Sequence, residues 1–171
     1  MTHVAVGYDG TDLAREPFLS GMRSADLRRL ATAARSIEIP AGRRIFDEGA
    51  PAERFWLVQD GTVAVDADVP GRGTVVIDTY GPGSVLGWSW MFRPYRWRFG
   101  GVTCTPVRAI EFDARLVRTF CAVDPSLGYE LTRRVAELVV DRLEATRTRL
   151  VGLSAEAEAG AGAANRAPGP A

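Results

Sequence analysis

The chain has 171 residues with 21 acidic and 21 basic side chains, and every basic one is arginine. The lack of lysine and the single histidine, His3, exclude P-loop and Schiff-base chemistry and any mechanism that needs two histidines. Two cysteines, Cys104 and Cys121, are too few for a cysteine-cluster metal site and read as reduced core thiols. The length fits one domain with a real core. Zero net charge gives no support for direct DNA binding. Arginine in place of lysine is what GC-rich codon usage produces. The N-terminus lacks the charged and apolar regions of a signal peptide, and no apolar run approaches a membrane span, so the expected location is cytoplasmic.

In chain order, residues 1–16 are polar and aperiodic and read as a flexible leader. A short helix follows, with Ser24 as its N-cap and Leu27, Leu30, Ala31 and Ala34 on one face. From Ser36 the pattern changes to short β-rich runs at 36–39, 43–46, 55–58, 62–65, 74–79, 102–105 and 107–112. Asp60-Gly61 between FWLV and TVAV predicts a tight hairpin, VPGRG at 69–73 a longer one, and Gly81-Pro82-Gly83 a further reversal. Many short strands at this spacing predict a sandwich, barrel or jelly roll. Asp124 with Pro125 then opens a long helix, whose stripe of Leu127, Leu131, Val135, Leu138, Val139 and Leu143 continues to Leu150. Its apolar stripe either packs only on its own barrel or turns half of its face to an identical helix, and a homodimer is the expected arrangement. The alanine, glycine and proline tail at 154–171 predicts disorder. The domain therefore spans 17–153, with strands at about 36–112 and C-terminal helices at about 113–153.

Residues 79–110 contain no acid but carry Arg93, Arg96, Arg98 and Arg108. In a neutral chain such a segment attracts anions. Its middle, GWSWMFRPYRWRFGG, interleaves arginines with Trp88, Trp90 and Trp97. Guanidinium forks suit phosphate or carboxylate, aromatic faces suit a planar base, and glycines allow close backbone approach. The same composition also builds structural cation–π stacks and an aromatic core. The acids Asp47, Glu48, Asp66, Asp68 and Asp78 fall in turn and hairpin regions, where solvated surface is the default, and no motif pairs them for catalysis.

The run IPAGRRIFDEGAPAERFWLVQDGTVAVDA, residues 39–67, resembles the start of the cyclic-nucleotide-binding domain of the cAMP receptor protein and fumarate–nitrate regulator (Crp/Fnr-like) superfamily. Ile39-Pro40-x-Gly42, Ile45-Phe46-x-x-Gly49 and the strand before Gly61 carry the likeness, which continues through TYGPGSVLGW to Asp124-Pro125. The resemblance implies a mainly β fold, a double-stranded β-helix or jelly roll (β-roll), with a short N-terminal and a long C-terminal helix.

It further implies a ligand cassette in which a Gly-Glu pair opens a short helix, the glutamate accepts the ribose hydroxyl, and an arginine followed by a small hydroxyl residue holds the cyclic phosphate. Gly87 matches, but Trp88 stands at the glutamate position, and an indole can donate but cannot accept. The family's interval reaches Arg98, with Arg96 as the near alternative. Phe99 and Gly100 replace the small residues that usually follow. The candidate ligand residues are Gly87, Trp88, Ser89, Arg96, Arg98, Phe99 and Gly100.

The expected function is a stand-alone, non-enzymatic sensor that binds a small anionic ligand, cAMP or cGMP among the candidates. It needs no cofactor or metal and signals through the C-terminal helix to a protein effector. A ligand-free dimerising scaffold with Trp88 and Trp97 filling the pocket is the alternative. A third reading is a truncated transcription regulator acting through a DNA-binding partner, since no helix-turn-helix pattern follows Leu153.

Overall fold

The computed structural model describes residues 8–164, in two units, Met1–Glu130 and Leu131–Ala171. In the first, eight strands follow one another: β1 (Ala34–Ile39), β2 (Arg44–Phe46), β3 (Arg54–Asp60), β4 (Val63–Val69), β5 (Gly73–Tyr80), β6 (Val85–Leu86), β7 (Gly100–Thr103) and β8 (Val107–Asp113). They form two antiparallel four-stranded sheets, ordered β1-β8-β3-β6 and β2-β7-β4-β5, which is the expected β-roll.

The FWLV run explains how the layers meet. A continuous apolar strand is covered on both faces, because successive side chains point to opposite sides. Phe55 stacks on Phe112 at 4.6 Å and on Trp90 at 4.7 Å, while Trp56 stacks on Phe46 of the other sheet at 5.4 Å. Burying β3 on both sides overturns the simplest reading of Asp60-Gly61. The turn joins strands of different sheets, so it is a corner and not a paired hairpin. Gly61 has φ +83°, and a Cβ there would stand 2.1 Å from the Pro106 carbonyl oxygen. The predicted 69–73 loop does close a hairpin, with Val69 opposite Gly73.

Residues 8–16, within the expected leader, include a short helix. Asp9 accepts hydrogen bonds from the Thr11 and Asp12 amides at 2.7 and 2.9 Å, opening α1 (Gly10–Leu13), and Leu13 is wholly buried. Residues 1–7 of the expected leader lie outside the described residues. In α2 (Ser24–Ala31), Leu27 and Leu30 are buried as expected. The cap position falls on Arg23, not Ser24; Arg23 instead reaches Asp26 at 2.7 Å, and Ala34 opens β1. Cys104 is exposed in the β7–β8 turn and Cys121 half-buried, so neither is a fully buried core thiol.

At the C-terminal side of the roll, Asp113 caps α3 (Ala114–Val123) and Asp124 caps α4 (Pro125–Ala164). The Asp124 carboxylate accepts from the Ser126 and Leu127 amides at 3.0 and 3.3 Å. Helix α4 passes the expected end near Leu150 and runs to Ala164, through part of the stretch whose composition predicts disorder. Alanine and glutamate are strong helix formers, and the first proline of the tail comes only at Pro168. Residues 165–171 lie outside the described residues. Within the second unit, Val140, Leu143 and Leu150 are exposed, and Arg133 pairs with Glu137 one turn on. Among the described residues no helix is long and apolar enough to cross a membrane.

Candidate ligand-binding site between β6 and β7

Strand β6 ends at Leu86, and Gly87 turns the chain with φ +78° into a 3-10 helix, Trp88–Met91. A Cβ on Gly87 would stand 2.7 Å from the Trp97 ring, so both the left-handed backbone and the indole require glycine here. In the short helix, Ser89 and Trp90 are buried, and Trp88 is half-buried with its ring edge-on to Phe92 at 6.2 Å.

The returning chain is held against the β2–β3 loop. The Ala52 amide donates to the Tyr95 carbonyl (2.7 Å), the Trp97 amide to that of Ala50 (2.9 Å), and the Gly49 amide to that of Trp97 (2.9 Å). Arg96 bridges Pro51 and donates from Nη1 to the Gly49 carbonyl at 2.7 Å. From α3, Arg118 donates to the carbonyls of Ala52 (3.2 Å) and Trp90 (3.0 Å) and lies 4.5 Å from the centre of the Tyr95 ring.

Next to Gly87 the interior is aromatic. Trp97 is 6% exposed and packs on Phe46 at 4.8 Å and Trp56 at 5.7 Å. The Trp56 indole N–H donates to Glu111 Oε2 at 3.0 Å, while Glu111 Oε1 accepts from Arg35 (2.6 Å) and Arg54. A buried carboxylate with three donors is satisfied and has little capacity left for a ligand.

The candidate residues thus separate. Gly87 and Trp97 meet. Both arginines are exposed, but Arg96 donates to a backbone carbonyl, whereas Arg98 has no hydrogen-bond or ion-pair partner among the described residues. Phe99 is partly exposed, and Gly100 is buried in β7. A Cβ at Gly100 would come within 2.2 Å of Asp66 Oδ1 and 2.6 Å of Arg44 Nη1. Asp66 is no surface acid: it is 5% exposed and bound by Arg44 at 2.7 and 2.8 Å. Charge compensation by that guanidinium is what permits its burial.

Sequence reasoning missed Trp56, Glu111, Asp66 and Arg118 as neighbours of the site. A single acid inside the apolar run AIEF was a usable signal for Glu111. Nothing local marks Arg118. Among the described residues, no group of acids, cysteines or histidine is placed to hold a metal.

Fold and segment together define a two-sheet β-roll with a glycine-opened helical cassette between its sixth and seventh strands. The chain belongs to the cyclic nucleotide-binding domain family, whose model matches residues 36–124. It is 26% identical over 141 residues to the CRP-like cAMP-activated global transcriptional regulator of Mycobacterium tuberculosis, covering 82% of this chain and 61% of that one. The chain thus spans about three fifths of the regulator's length. A cyclic nucleotide-binding domain from Methylobacillus flagellatus shares the fold, with TM-score 0.76, 20% identity and 88% of each chain covered. A cAMP-binding acyltransferase from Mycobacterium smegmatis is 27% identical with TM-score 0.57, over 72% of this chain and 38% of the acyltransferase.

Proposed function

We propose that this chain is a non-enzymatic regulatory sensor that takes a small anionic ligand, a cyclic nucleotide or a close relative, at the cassette through Arg98. The observation that carries this reading is the exposed guanidinium of Arg98, without a partner among the described residues, at the position where the family resemblance expects the phosphate-binding arginine. Trp88 in place of the glutamate removes a ribose anchor. Losing one charged hydrogen bond costs about 1.5–3 kcal/mol, on the order of tenfold to a hundredfold in affinity. Ligand occupancy shifts the C-terminal helix only by its differential affinity for the two helix positions. The exposed Val140, Leu143 and Leu150 of α4 suit a homodimer, and a protein effector reads the change.

A second reading rests on Trp97. Its indole already fills the space beside Gly87, as a ligand-free dimerising scaffold requires. Calorimetric titration with cAMP, cGMP, AMP and GMP decides between the two. The sensor reading expects heat with at least one of them and a loss of tenfold or more in Arg98→Ala, about 1.4 kcal/mol. No heat with any of the four nucleotides leaves the scaffold.

A further inference from the structure

Two groups of arginines contrast. Arg23, Arg29, Arg35, Arg44 and Arg54 each face a carboxylate. Arg93 and Arg118, on the Tyr95 ring, and Arg96, the residue after it, face none among the described residues. Arg93 lies 5.9 Å from the centre of the Tyr95 ring and Arg118 4.5 Å from it, and Arg96 is the next residue along.

The nearby acids are engaged elsewhere. Asp47 faces Arg44 at 3.3 Å, Glu48 accepts from the Asp68 amide at 3.0 Å, and Glu53 faces Arg115 at 3.7 Å. Two guanidiniums, those of Arg93 and Arg118, therefore flank one ring with no counter-charge among the described residues, and Arg96 adds a third positive charge one residue on, a local field that favours an anion.

The shape of this spot says what kind of anion. The turn Phe92–Tyr95 is closed by the Tyr95 amide donating to the Phe92 carbonyl at 2.8 Å, and Phe92, Arg93 and Pro94 at its tip are exposed. Phe92 is 38% exposed, a large aromatic surface beside a cation. Tyr95 holds φ +57°, a backbone state rare outside glycine, and its ring lies against Arg118 of α3. An apolar anchor beside clustered guanidiniums fits a protein segment that carries carboxylates around an apolar side chain, more than a small free anion.

We propose that the Phe92–Tyr95 turn, with Arg93, Arg96 and Arg118, is the docking surface for an acidic segment of a protein partner. This surface does not depend on Arg98 or on ligand binding at the cassette.

The test is fluorescence anisotropy with a labelled peptide of glutamates around a central phenylalanine, and its glutamine counterpart as control. The glutamate peptide binds and the glutamine peptide does not. Affinity falls about tenfold or more as salt rises from about 50 to about 300 mM, because exposed charges are screened. Arg93→Glu, which melts like the wild type, weakens binding at least tenfold; Arg98→Ala does not change it. Equal binding of the two peptides, no binding, or an Arg93→Glu protein that binds like wild type overturns the proposal. So does a preference for a single-stranded oligonucleotide of equal charge. Nucleotide titration of Arg93→Glu keeps the two readings apart, since the cassette response is retained in that variant whether or not the peptide docks.

Discussion

Trp97 is where packing and function meet most directly. The variant Trp97→Ala removes an indole that is 6% exposed and lies between Gly87, Phe46 and Trp56. A buried tryptophan hides about 150–250 Å², which at roughly 25 cal/mol per Å² is about 4–6 kcal/mol. Inward movement of Phe46 and Trp56 recovers part of this, and Trp→Ala changes in cores cost about 3–5 kcal/mol. We expect about 4 kcal/mol, or roughly 12 °C in Tm for a domain of this size. Urea denaturation followed by fluorescence of the remaining tryptophans measures it. The void is lined by aromatic rings, so added indole should re-enter and raise the variant's Tm without affecting the wild type. A loss below about 1 kcal/mol would mean that Trp97 is not the packed wall described here. Failure of indole to restore stability would mean that Phe46 and Trp56 close over the void.

Two other outcomes follow from the geometry. Glu111→Gln keeps the shape of the side chain but removes the negative charge from the acceptor of two guanidiniums and sets an amide NH2 against one of three donors. Arg35 and Arg54 are about half exposed and can resolvate, so the cost is about 1–3 kcal/mol, read from the urea midpoint; a change under about 0.5 kcal/mol sinks the idea. The Asp124 carboxyl is held below its ordinary value of 3.8 by the Ser126 hydroxyl first, then by the Leu127 amide. Its stabilisation is present above that value and lost as pH falls through the lower folded-state value, so the stability difference between wild type and Asp124→Ala shrinks towards acid; a difference that persists undiminished at about pH 2 refutes the assignment.

Strand pattern alone reached a sandwich, barrel or jelly roll, the β-roll was legible through the family resemblance that the glycines and prolines from Ile39 onward carry, and the two flanking helices through apolar stripes of helical period. What local pattern could not carry was partnership. Asp60-Gly61 has the chemistry of a hairpin, but whether two strands pair depends on what else competes for β3, and β8 and β6 take both of its edges. Asp66 looks like a hairpin acid until Arg44, from a different strand, neutralises it. Arg96 and Arg98 are alike in type, and only the family's interval favours Arg98; the Gly49 carbonyl, nearly fifty residues earlier, gives Arg96 a partner of its own. Alanine-rich composition supports either disorder or helix, and in α4 the helix already begun by Asp124 and Pro125 extends through it.

The corner at Gly61 also governs when the protein can fold. Because β3 turns away from β4, its long partner is β8, and β1 waits for the same strand: Ala34 pairs with Phe112 and Arg54 with Asp113. Such distant pairings make folding slow, since loop closure must precede the contacts that reward it. During synthesis, the FWLV run leaves the ribosome long before anything exists for it to pair with. A chain cut short before Asp113 would therefore display Phe55, Trp56 and Leu57 as a sticky, unpaired ribbon, open to aggregation and proteolysis.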